Sequence, residues 1–434
     1  MLTNHHYLRI KTNRPVTLVG SPLAGDFPSA IASKLASYNY IVPVQAPTMK
    51  TQPNPTVRAI AGIALVFSLL PGAGMRARGA TAPAETTALP IPLVTQFENF
   101  GEADGLPSHK VHCVLKTKDG KLWLGTNNGL CLRLPDGKFR NYGTKDGLSH
   151  STVLGIAEDP RTGDLWLATM QGVSRFSGGQ FTAFTQTNSG LPNNVVYGVA
   201  VIGDTVWTAT AAGTGAYDLK TKEWKLYDQT NTVMNEPWCY GIAAGEGVVY
   251  LGVWAGGIVE HDPKTGSFKA YRDPDGDFHL QLTPDSGPVV DVTSGVAYGD
   301  GILWQATYFG LSRYDTKEAT WRTWVQDKTP LVSNFINTVF AHGRVAWLAT
   351  DRGASVTDGT SWVNYTVDDN GRGVVRIYRP GQEPETRPMT TALADGFVTA
   401  IWADDHEAWF ATSNGVSHGI FAAPTPSATV TSNP

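Results

Sequence analysis

The chain has 434 residues, with 34 Lys and Arg against 38 Asp and Glu and a formal charge of −4. That balance leaves no basic footprint, so nucleic acid is excluded as a first partner to consider. Charged residues make up only 17% and hydrophobic ones 41%, with 46 Gly and 13 Trp; this excludes a disordered or coiled-coil chain and points to strands joined by tight turns.

Residues 1–48 show no clear periodicity and read as an upstream extension of the frame. Ala59–Leu70 is apolar, but twelve helical residues rise only ~18 Å, too short for a bilayer core of ~30 Å. Met49 and Lys50 open an acid-free basic stretch before it, and Ala82-Pro83-Ala84 follows it as an Ala-x-Ala pattern. Residues 49–84 therefore read as a secretory signal peptide or an uncleaved anchor, with 85–93 as a linker and the body periplasmic or secreted. The chain would meet a membrane only if that leader stayed uncleaved. Cys113, Cys131 and Cys239 each lie in a strand-like run, lack Cys-x-x-Cys spacing and read as small buried hydrophobes.

From residue 94 onward one unit recurs. An aromatic block, aromatic-hydrophobic-small-Thr, starts at Trp123, Trp166, Trp207, Tyr250, Trp304, Trp347 and Trp409, at intervals of 43, 41, 43, 54, 43 and 62. A period of ~40–50 residues points to a propeller or solenoid. An aromatic-x-x-aromatic pair follows each of the first six blocks, from Phe139/Tyr142 to Trp362/Tyr365. The seventh pair, Phe97/Phe100, instead precedes the first block. That permutation predicts a ring closed by its amino-terminal outer strand: an all-β, seven-bladed β-propeller of four-stranded antiparallel blades over 94–419. Aligning the units puts Cys113, Gly155, Gly198, Gly241, Gly295, Thr338 and Ala400 at one inner-strand position, where small side chains suit crowding at the axis. Residues 420–434, rich in Pro, Ser and Thr, read as a disordered tail.

The stretches DGKLWLGTNNGLCLRL from Asp119, GDLWLATMQGVSRF from Gly163 and LWQATYFGLSRYD from Leu303 resemble two-component regulator propeller repeats. So do the links Gly105-Leu106-Pro107-Ser108, Gly147-Leu148-Ser149-His150 and Gly190-Leu191-Pro192-Asn193. The resemblance implies a sensor-type propeller that perceives ligands such as oligosaccharides. Behind Gly419 the sequence holds no kinase or DNA-binding pattern, so a separate signalling partner is expected.

The topology gathers the turns between second and third strands, and the links between units, on one face around the axial mouth. Its candidate ligand-binding residues are Trp254, Tyr308, Phe309, Asp351, Arg352, His109, His150, Asn193, Glu236 and Trp238. Rings stack on the C–H faces of a sugar while amides and charges bond its hydroxyls, so an oligosaccharide or a protein is the expected ligand. The longer intervals after Tyr271 and Tyr365 are expected to project onto the same face and wall the mouth. Asp273, Asp275 and Asp277 invite a calcium loop, but Phe278 and Pro284 stand where Gly and an acid are needed. No metal and no cofactor is expected. A lyase or hydrolase acting on a polysaccharide or cyclic peptide is the alternative, with His109, His150, Glu236 and Asp351 as its titratable groups.

Overall fold

The computed structural model describes residues 91–274 and 286–421. The leader at 49–84, Asp275, Asp277 and residues 422–434 lie outside the described residues. Those described form seven antiparallel sheets set around a ring, with three single-turn 3-10 segments and otherwise strands and turns. The expected seven-bladed propeller is what the chain builds.

Blade 1 is Val111–Lys116, Leu122–Thr126, Gly129–Arg133 and Phe139–Tyr142, strands in sequence order from axis to rim. Blades 2 to 6 repeat it, with inner strands Val153–Glu158, Val196–Ile202, Cys239–Ala244, Thr293–Gly299 and Ile336–His342. Blade 7 takes three strands from Val398–Phe421 and its outer strand, Val94–Phe100, from the other terminus. Closure is dense: Phe97 is 2% exposed and meets Tyr365 and Phe410 edge-on at 5.8 and 5.3 Å. The Val94 amide also donates to the Tyr365 hydroxyl at 2.8 Å.

Every aromatic that opens a block is at most 5% exposed, which makes these rings interblade packing. The last residue of the block has a different task. Thr126, Thr169, Thr210, Thr307, Thr350 and Thr412 each donate a hydroxyl to the glycine carbonyl that opens the third strand, at 2.7–2.9 Å. Those glycines sit at positive φ, Gly172 at 96°, and a Cβ there would lie 2.2 Å from the Phe184 carbonyl oxygen. Only glycine fits such a turn without displacing backbone. Blade 4 has Val253 in place of the threonine, and Thr293 of blade 5 supplies the missing bond to Gly257 at 2.8 Å.

The small inner-strand residues fall in one register. Cys113 faces Gly125, Gly155 faces Ala168, Gly198 faces Ala209 and Gly241 faces Gly252. Gly295, Thr338 and Ala400 pair likewise with Ala306, Ala349 and Ala411. A Cβ on Gly241 would reach 2.9 Å from the Val296 amide nitrogen of the next inner strand, so axial crowding is the reason for small residues here.

Blade 6 departs from the expected four strands. The interval after Tyr365 forms an extra hairpin, Gly373–Tyr378 and Glu385–Pro388, that widens the blade to six strands at its rim. It does not wall the mouth as expected. Alternating Val375 and Ile377 are buried with Val94 and Phe97, so the insertion joins the core beneath the closing strand. Pro388 and the charged Glu385 and Arg387 blunt the edge it leaves exposed. The three thiols are free and buried, and burial pushes each up to about 12.

Candidate functional site

The mouth is built from turn, link and inner strand together. The amides of Asn127, Ala211, Trp254, Asp351 and Ser413, each just past its block, donate to the link carbonyls of Lys110, Val195, Trp238, Phe335 and Phe397. Turns and links therefore share one face, as the topology implies.

All seven inner strands also carry a register shift two residues before the block's partner small residue is reached. The residues skipped are His112, Leu154, Tyr197, Tyr240, Ser294, Asn337 and Thr399, one per blade. A bulge re-aims a side chain, and three of these cross to the next blade. Ser294 donates to the Ile336 carbonyl at 2.6 Å, Asn337 to Val398 at 2.7 Å and Thr399 to Val111 at 2.6 Å. His112 instead pairs through Nε2 with the Asn127 side chain.

Blades 3 to 6 line their part of the mouth with rings. Tyr197 stacks on Tyr240 at 4.5 Å, Tyr240 meets Trp254 at 5.4 Å and Trp254 meets Tyr308 edge-on at 5.5 Å. Tyr308 then lies flat on Phe335 at 4.0 Å with 1° between the planes. Burial raises the Tyr197, Tyr240 and Tyr308 hydroxyls above the usual phenol range, so all three are protonated donors at neutral pH.

Among the expected site residues, Trp254 and Tyr308 come together in this arc. Trp254 is only 3% exposed, however, enclosed by Tyr240 and Tyr308. It buttresses the arc and offers no open face for stacking, which corrects its expected ligand-facing role. Tyr308 and Phe309 are half-buried, and the Phe309 amide caps Thr307 at 3.0 Å. Asp351 is half-buried beside Phe335, and Arg352 is exposed. Glu236 and Trp238 are half-buried on the link between blades 3 and 4.

His109 is exposed, and its Nδ1 lies 3.0 Å from Glu102 Oε1, a contact that holds the Glu102 carboxyl below its usual range. His150 accepts the Thr152 amide on Nδ1 at 2.9 Å, and Asn193 accepts the Val195 amide at 2.7 Å; both cap link turns. The four titratable candidates His109, His150, Glu236 and Asp351 stand on three separate links and one blade turn. Among the described residues no group of three or more His, Cys, Asp or Glu could hold a metal ion.

Sequence reasoning missed Tyr197, Tyr240 and Phe335. The signal was present, since Tyr197 and Tyr240 immediately precede the aligned Gly198 and Gly241. What the alignment could not reveal was the bulge that turns them toward the mouth.

Residues 105–128 match the family model described as two component regulator propeller. No curated protein matches the chain significantly in sequence. Among solved structures, the extracellular domain assigned to a one component system of B. thetaiotaomicron is similar at 19% identity and TM-score 0.58, over 75% of this chain and 40% of that one. An extracellular domain assigned to a hybrid two component system of the same organism is similar at 17% identity and TM-score 0.56, over 76% of this chain and 42% of that one. Virginiamycin B lyase from Staphylococcus aureus is similar at 16% identity and TM-score 0.53, over 76% of this chain and 99% of the lyase. The chain thus spans about two fifths of these two extracellular domains, and at these identities the likeness is one of fold. The match to the two component regulator propeller model thus lies at the start of blade 1, and the seven-bladed ring is similar in fold to these extracellular domains.

Proposed function

We propose that the chain is an exported, non-catalytic binding propeller of sensor type, which takes an oligosaccharide at its mouth and passes the signal to a separate protein partner. One observation supports this above the rest: the mouth is two-sided. Rings from Tyr197 to Phe335 occupy blades 3 to 6, while blades 1 and 7 place polar side chains there, His112 bonded to Asn127 and Thr399 to the Val111 carbonyl. A pyranose needs that combination, because its C–H faces are apolar and its hydroxyls require partners. The sensor-domain neighbours favour export, and among the described residues no helix is long and apolar enough to cross a membrane.

A thermal-shift screen against oligosaccharides tests the proposal. A ligand at a hundredfold excess over its Kd stabilises by about 2.7 kcal/mol, a rise of a few degrees. Tyr308→Ala should abolish that rise by removing the partner of Phe335. A wild-type protein whose melting temperature moves with no glycan would sink the reading.

A further inference from the structure

One turn residue at the mouth lacks the partner that its place in the repeat provides elsewhere. Asn127, Trp254, Tyr308 and Asp351 are each the first residue past their block. Asn127 bonds the bulge residue of its own blade, His112, and Trp254 packs on its own, Tyr240, at 5.4 Å. In blade 6 the bulge residue is Asn337, and its side-chain amide is committed to the Val398 carbonyl of blade 7 at 2.7 Å. Asp351 is left over. Its Oδ1 is enclosed and makes no hydrogen bond, its Oδ2 stays accessible, and among the described residues no ion pair reaches its carboxyl. Arg352, next along the chain, is exposed.

An enclosed carboxyl oxygen with no donor is costly, and each native instance asks for an explanation. The neighbours of Asp351 define what a ligand would have to bring. Its amide donates to the Phe335 carbonyl at 3.3 Å, and Phe335 ends the aromatic arc, stacked on Tyr308. A carboxylate beside half-buried rings matches a cation, which the carboxylate attracts by charge and a ring face by its quadrupole. The links around the mouth add Glu236, Asp291 and Asp395 against Lys110, beside the Glu102–His109 pair, so the surrounding charge leans negative.

From this juxtaposition we infer that the mouth selects an amino sugar, with Asp351 as the specificity-determining residue. The protonated amine of a hexosamine unit donates to the Asp351 carboxylate while the sugar lies against Phe335 and Tyr308. The inference rests on the oligosaccharide reading above. A sugar hydroxyl reaching the same group would leave the carboxylate without a counter-charge, so charge is what separates the two kinds of sugar.

The test is calorimetric titration of the wild-type chain and Asp351→Asn with hexaglucosamine, its N-acetylated form and cellohexaose, beside thermal melts of both unliganded proteins. The three share one backbone and differ at carbon 2, which carries an ammonium, an acetamide or a hydroxyl. Titration at about pH 6 keeps most of the amines protonated, and about 0.15 M salt screens diffuse attraction. Wild type should bind hexaglucosamine at least about tenfold more tightly than either of the others, and Asp351→Asn should lose that preference. Unliganded Asp351→Asn should melt at the same temperature or higher, because it sheds an uncompensated charge. No preference in wild type, a preference kept in Asp351→Asn, or a variant melting several degrees lower would overturn the amino-sugar inference and leave the oligosaccharide reading standing. Failure of wild type to bind any of the three would also overturn it, and the oligosaccharide reading falls with it only if the wider thermal-shift screen is silent too.

Discussion

Replacing Thr293 by Val tests whether blade 5 repairs blade 4. Thr293 is fully buried; its hydroxyl donates to the Gly257 carbonyl at 2.8 Å and accepts Gln305 Nε2 at 2.7 Å. Gln305 is itself fully buried where the other blocks carry Leu124, Leu167, Thr208, Leu251, Leu348 and Phe410, and its Oε1 already has no partner. Valine keeps the shape but removes both bonds, leaving part of the Gln305 amide and the Gly257 carbonyl short of partners. At about 1 kcal/mol per bond plus desolvation of what is left behind, the loss should be about 2–3 kcal/mol. Thr350→Val, which removes a turn's own threonine, also breaks two bonds, to the Gly353 carbonyl and from the Arg352 amide, but orphans no fully buried side chain, so it should cost less, about 1–2 kcal/mol. Urea unfolding followed by both far-ultraviolet dichroism and tryptophan emission measures each value. Gln305→Leu should then soften the Thr293→Val penalty by about 1 kcal/mol, since no orphaned amide remains. Equal costs for the two threonines, with no coupling to Gln305, would refute the repair.

Two further substitutions probe the turn and the closing seam. Gly172→Ala combines φ of 96° with a Cβ driven into the Phe184 carbonyl, so it should cost more than about 3 kcal/mol. Gly178→Ala, at φ 58° with open space around it, should cost only about 1 kcal/mol, and urea midpoints compare the pair. The Glu407 carboxyl is held down to about 2, first by the His418 hydrogen bond at 2.6 Å and then by Lys116. Its folded value lies below its unfolded one, so its contribution is present above about pH 4.3 and is lost as pH falls toward 2. Unfolding midpoints taken between pH 7 and 2.5 should fall less steeply for Glu407→Gln than for wild type; parallel acid limbs would disprove the assignment.

The ring was legible because its determinants are local and repeated. Seven block aromatics, seven outer pairs and their permutation by one strand specify blade number and closure, and Phe97 paired against Gly419 bears this out. The extra hairpin was illegible for an equally physical reason. GVVRIY alternates as a strand does, but a strand added to a sheet edge and a long loop have similar composition; only burial of Val375 and Ile377 against the closing strand separates them. The mouth was legible in part. Spacing placed Trp254 and Tyr308 on the right turns, yet position on a turn does not say whether a ring faces solvent or a neighbouring ring. Tyr197 and Tyr240 were hidden because a bulge shifts the alternation by one, and that shift carries no residue type of its own.

The departures from the repeat gather in blade 4, and together they explain why that sector differs. Tyr250 replaces the block tryptophan, Val253 replaces the turn threonine, and the turn is one residue longer, with Ala255 at φ 51°. Each change weakens a device that the other six blades share. Trp254 opens this longer turn and lies between Tyr240 and Tyr308. The turn bond of blade 4 is borrowed from Thr293 of blade 5, and among the described residues no charge pair crosses its seams. The blade that departs most from the repeat is thus the one whose Tyr240 and Trp254 sit in the middle of the aromatic arc.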